Sequence, residues 1–167
     1  DQLDDLYFKA FDPLYAMLQD DREGNAFIAF NAWGPGRTLK SQCDFAAMIS
    51  PDMFAEFVCP HLERQCARVA FSTYHLDGPN AIRHLDHLLR VPSLTAVQWT
   101  PGTPNPPAAN KMWWDKVWRK VYAAGKSAMV LGCPPETVEP FVKEFGQAGT
   151  FISTGTDTEK EARRLIE

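Results

Sequence analysis

The sequence predicts an α/β fold built on a parallel sheet, and three observations carry that prediction. Apolar stretches of strand character recur five times, at 25–33, 69–76, 94–99, 127–132 and 150–154. Stretches of helical spacing separate them, each long enough for the crossover that parallel strands require. The strand stretches are short and apolar, as in a sheet that helices cover.

Each element has its own signal. Leu3, Leu6, Tyr7, Ala10, Phe11, Leu14 and Leu18 recur at amphipathic spacing and predict a helix over 3–19. NAFIAFNAW, 25–33, reads as the first strand and GPGRTLKSQCD as a loop after it. Ser50-Pro51 is an N-cap followed by proline at the first helical position, so a helix starts there and runs to about 68. Pro60 inside that helix predicts a kink. The second strand, 69–76, is followed by a helix over 80–90 that buries Ile82, Leu85, Leu88 and Leu89. LTAVQW, 94–99, leads into the proline-rich loop TPGTPNPPAAN. A helix over 110–124 carries Trp113, Trp114, Val117, Trp118 and Val121 and stops at Gly125. SAMVLG, a helix over 135–145, TFIST and a last helix from 158 complete five strands and six helices.

Composition narrows the function classes. A chain of 167 residues, 45% hydrophobic and 23% charged, suits one domain with a packed core. A net charge of −4 without any basic run argues against nucleic-acid or anionic-membrane partners. No apolar run approaches transmembrane length and nothing at the start resembles a signal peptide, so a cytoplasmic protein is expected. Cys43, Cys59, Cys66 and Cys133 match no zinc-finger or C-x-x-C spacing, which fits a reduced compartment. The first residue is Asp1 rather than methionine, so processing or truncation is expected.

Polar and aromatic residues gather at the strand ends. The five predicted strands end in Asn31 and Trp33, His75 and Asp77, Gln98 and Trp99, Gly132 and Cys133, and Thr154 and Thr156. In an open parallel sheet and in a (β/α)8 barrel alike, ligands and catalytic groups sit at that edge. Thr73, His75 and Asp77 alternate with Tyr74 and Leu76, so the imidazole and the carboxylate share one face. Asn31, Trp33, Gln98, Trp99 and Thr154 are the candidate substrate contacts, with His75 and Asp77 the catalytic pair.

Each of these residues also has a purely structural reading. His75 could be a buried, hydrogen-bonded histidine, and Asp77 the N-cap of the next helix. Cys133 could be a small buried hydrophobe. His84, His87 and His61 read as solvated helix surface, the tryptophans as packing, and Asp44 as a turn cap or a residue at the mouth.

Three segments, CDFAAMISPDMFAEFVCPHLE, YHLDGPNAIRHLDHLLRVPSLTAVQWTPG and FISTGT, resemble the uroporphyrinogen decarboxylase superfamily. That superfamily includes the decarboxylases of haem biosynthesis and cobalamin-linked methyltransferases. The resemblance implies the C-terminal part of a (β/α)8 TIM barrel, about five βα units, with the N-terminal strands missing and the fragment alone inactive. An open sheet edge is then expected to drive self-association.

The methyltransferase branch carries a zinc motif, His-x-Cys at a strand end plus a later cysteine. His75 matches the histidine, but Asp77 stands where the first cysteine belongs and Thr156 where the second does. The resemblance thus implies a metal site altered to His75 and Asp77, with Cys133 as a candidate third zinc ligand. Its leading functional implication is methyl transfer, with a corrinoid as methyl carrier, a corrinoid protein as partner and a metal-activated acceptor. The alternatives are metal-free decarboxylation of a carboxylated, tetrapyrrole-like small molecule, or a non-catalytic binding or assembly domain. Arg37 and Arg83 are the only arginines near strand ends, which weighs against a highly carboxylated substrate.

Overall fold

A computed structural model describes residues 2–27, 30 and 32–166. The chain opens with α1 (Gln2–Leu18), whose inward side presents the buried Asp4 and Phe8. A hairpin follows, β1 (Asn25–Phe27) pairing antiparallel with β2 (Ala32–Gly34). The parallel sheet then begins at β3 (Thr38–Gln42) and continues through β4 (Phe71–Asp77), β5 (Ala96–Thr100), β6 (Ser127–Cys133) and β7 (Thr150–Thr154).

This corrects the expectation at the first strand. Asn25–Phe27 and Ala32–Gly34 pair antiparallel and are not a parallel strand, and the sheet's first strand lies in TLKSQ, which the sequence suggested was a loop. The reason is position. As an edge strand β3 buries Leu39 and Ser41 on its helix side, so it carries no apolar run. The alternation in NAFIAFNAW suits a hairpin as well as a central strand.

Sheet order is β3-β4-β5-β6-β7, all parallel, with no reversal. Right-handed crossovers then place every connecting helix on the same face. The burial pattern agrees. Tyr74, Leu76, Val97, Trp99, Ala128 and Val130 all belong to one core with the helices. The opposite face carries Lys40 and Gln42, Thr73, His75 and Asp77, Gln98 and Thr100, and Met129, successive pairs aligning in register. A five-stranded parallel sheet with one helical layer is compatible with part of an α/β barrel.

The helices start and stop where their chemistry dictates. α2 (Pro51–Phe57) is capped by the Ser50 hydroxyl, which accepts from the Met53 amide at 3.2 Å. Where a kink was expected, the helix divides in two ahead of Pro60, which lacks an N–H and whose ring meets the carbonyl four residues back. α3 (Cys59–Cys66) restarts after Val58. The predicted helix 80–90 is a 3₁₀ segment, Pro79–His84, running into the single turn α4 (Leu85–Leu88). Residues 111–123 pass through a 3₁₀ turn and a π turn into α5 (Arg119–Ala123). The tryptophan cluster is packing: the indoles of Trp113, Trp114 and Trp118 donate to the carbonyls of Pro106, Ala109 and Ala108 and pin the proline-rich loop. α6 (Pro135–Phe145) and α7 (Glu159–Ile166) complete the chain. Among the described residues no helix is long and apolar enough to cross a membrane.

The hairpin does not extend the sheet. Phe30 and Ala32 pack on Met129 and Leu131, so this segment lies over the face that the helices leave open.

Candidate functional site

The tip of β4 sets the site. Alternation puts His75 and Asp77 on the inner face, and Gly78, at φ 77°, turns the chain into the 3₁₀ segment without a Cβ clash. The Gly78 amide donates to Thr100 O at 2.8 Å, which ties the tip of β4 to the tip of β5. Asp77 makes no helix cap, so its side chain stays available and mostly exposed.

His75 faces its register partner Gln98. Its Nδ1–H donates to Gln98 Oε1, while Gln98 Nε2 donates to Thr100 Oγ1 at 2.8 Å. The amide therefore fixes the tautomer: Nδ1 holds the proton and Nε2 presents its lone pair. Asp77 Oδ2 lies 3.9 Å from Nε2, so a proton arriving there sits beside a carboxylate. The Phe30 ring centroid is 5.6 Å from the imidazole and covers one side of it. Next to this group, Lys40 donates to Gln42 Oε1, and Gln42 Nε2 donates to Asp44 Oδ1 at 2.9 Å.

Of the residues expected at the site, the structure brings together His75, Asp77 and Gln98. Trp99 is excluded by parity: it is fully buried on the helix side, 5.1 Å edge-to-face from Trp113. Trp33 sits on the hairpin, where its indole donates to Asp20 at 2.9 Å beneath the Arg22 guanidinium. Thr154 is exposed at the end of β7, three strands from His75. Asn31 lies outside the described residues.

Cys133 needs its own correction. Strict alternation from Met129 would put it on the inner face, but the register shifts between Val130 and Cys133, with Gly132 at φ 60°. Cys133 consequently joins the helix-side core, its sulfur 3.0 Å from Thr137 Oγ1, and burial pushes its thiol up. Among the described residues no group of three His, Cys, Asp or Glu could hold a metal. His75 and Asp77 alone do not make the three-ligand set that catalytic zinc takes. The donors among the described residues do not fit a zinc site.

Sequence reasoning missed Lys40, Gln42, Thr100 and Phe30. The available signal was the two-residue spacing of Lys40 and Gln42, which leads straight into Cys43-Asp44. The histidines read as surface also divide: His84 is fully buried, stacked 4.6 Å from Phe54, and its Nε2 donates to Ala46 O at 2.7 Å. Comparisons with family models, curated proteins and solved structures find no match to the chain.

Proposed function

We propose that the open face of the sheet is the wall of a small-molecule site in a (β/α)8-type enzyme. His75 is the general acid–base there and Asp77 the carboxylate beside it. The observation that supports this reading is the His75–Gln98 hydrogen bond, which holds the proton on Nδ1 and leaves Nε2 facing the Asp77 carboxylate. The reading kept from the resemblance is metal-free decarboxylation. The C–CO2 bond breaks, its electron pair stays on the substrate carbon, and the His75 imidazolium delivers its Nε2 proton to that carbon. Solvent then reprotonates the imidazole, so the sum is loss of CO2 for one proton taken up.

Methyl transfer through a corrinoid partner is the second reading. A free Nε2 with a bonded Nδ1–H is also what a metal-ligating histidine presents. It lacks a third donor in the described part of the chain.

The test is turnover of small carboxylic acids, followed by CO2 release and by deuterium uptake from D2O. We expect His75→Gln to abolish it and Asp77→Asn to lower it, with melting temperatures unchanged. Stoichiometric zinc that disappears in His75→Ala would overturn the metal-free reading in favour of methyl transfer.

A further inference from the structure

Lys40 is the only Lys or Arg in the five strands of the parallel sheet. It stands on the inner face in register with Thr73, one pleat before the Gln42–His75 pair. Two pleated residues along and one strand across place its Cα about 8 Å from that of His75. The two side chains share a neighbour: the Phe30 ring centroid is 5.6 Å from Lys40 Nζ and 5.6 Å from the imidazole.

Lys40 is partly buried as a residue, and its ammonium is incompletely used. It has three N–H donors, of which one goes to the neutral Gln42 oxygen, and among the described residues it has no ion-pair partner. An ammonium held beside an aromatic ring, with donors to spare, is complementary to a carboxylate. Phosphate fits less well. Its second charge would meet a single lysine and no arginine, with Asp44 and Asp77 on the same rim.

We propose that Lys40 binds a carboxylate that the substrate keeps through the reaction, making this face specific for a small dicarboxylic acid. One carboxylate rests on Lys40 and the reacting carbon lies a few bonds away at His75. The inference rests on the small-molecule reading of the site and adds its substrate class.

Glutarate is the probe, with uncharged glutaramide and inorganic phosphate as controls, followed through the His75 imidazole resonances of the whole chain. Glutarate is expected to saturate in the millimolar range, with glutaramide weaker by about 10-fold or more, the worth of one charge-assisted contact. Lys40→Gln should erase that preference with an unchanged melting temperature, and Lys40→Arg should retain it. Three results overturn the proposal: no saturation by glutarate, equal binding of glutaramide, or phosphate binding that exceeds glutarate and depends on Lys40. His75→Gln separates this from the acid–base reading. Glutarate bound through Lys40, with turnover untouched by His75→Gln, leaves the anchor standing and removes the catalytic role. Turnover that depends on His75 while Lys40→Gln leaves glutarate binding unaltered does the reverse.

Discussion

Gln98 holds His75 in a single tautomer: its amide oxygen takes the Nδ1 proton, and its amide nitrogen is itself held by the Thr100 hydroxyl. Gln98 is fully buried, so this is a fixed dipole rather than a mobile surface amide. The orientation of the imidazole is thus decided one strand away from the imidazole itself.

Gln98→Leu removes the acceptor and leaves the Nδ1–H and Thr100 without it. We expect a loss of about 1–3 kcal/mol in stability. Turnover should fall by about 10- to 100-fold, as when a partner that orients a functional histidine is removed. Gln98→Glu keeps an acceptor at the same place and should keep the tautomer. Imidazole ¹⁵N shifts read the result directly: an Nδ1–H signal unchanged in Gln98→Leu contradicts this role.

Much of the fold was legible because alternation and helical period survive into the structure. The parity of STYHLD was right, and it put His75 and Asp77 on one face and Tyr74 and Leu76 on the other. The same rule, applied strictly, says that the neighbours Gln98 and Trp99 cannot both face a site. Cys133 fails for the opposite reason, because a register shift at Gly132 breaks the parity that the sequence suggests. β3 was hidden because an edge strand with one buried side needs few apolar residues. Lys40 is hidden with it, because GPGRTLKSQCD has the composition of a loop.

Asp4 fastens α1 to α3 and sets an acid limit. Burial alone would raise its carboxyl, but bonds from Gln65, Arg64 and His61 outweigh that and bring it to about 2, below the ordinary 3.8. A depressed carboxylate stabilises above its unfolded value and loses that contribution as pH falls from about 4 towards about 2. With half-exposed partners the contribution is at most about 2 kcal/mol. Asp4→Asn should lower the melting temperature at pH 7 and narrow its gap to the parent chain at pH 2. An equal gap at both pH values would disprove the linkage.

His84 acts in a higher pH window. Burial is the main force lowering its ring below the ordinary 6.5, followed by the opposing bond to the Ala46 carbonyl and the charge of Arg83. The unfolded chain binds this proton more readily, so stability is complete above 6.5 and falls as pH drops through that value towards the folded one. Melting curves between pH 7.5 and 5 should therefore slope down for the parent chain. In His84→Gln, which keeps an N–H donor for Ala46, the curve should start lower and run flatter. A slope unchanged by that substitution would assign the acid sensitivity elsewhere.

The last prediction concerns association. On α1 the residues Leu3, Leu6, Leu14, Met17 and Leu18 fall on one side, and all are exposed, Leu3 and Met17 by 77% and 76%. That row flanks the side of Asp4 and Phe8, which hold the helix to the body. A cleft of about 460 Å³, bordered by Tyr7, Gln42, Cys43 and Phe57, runs from α1 to the open edge of β3. The Asn25 side chain covers that edge at Thr38, accepting from its amide at 2.8 Å and donating to its carbonyl at 3.2 Å. Beyond Thr38 the strand offers its backbone to another chain. We expect a second copy to meet this surface, so light scattering should report concentration-dependent dimers with strong binding of a hydrophobic dye. Leu6→Glu combined with Leu14→Glu should return a monomer with the same helix content. A parent chain that stays monomeric at every concentration and leaves the dye unbound rules this out, because an unsatisfied row of that size beside an open strand cannot be silent in water.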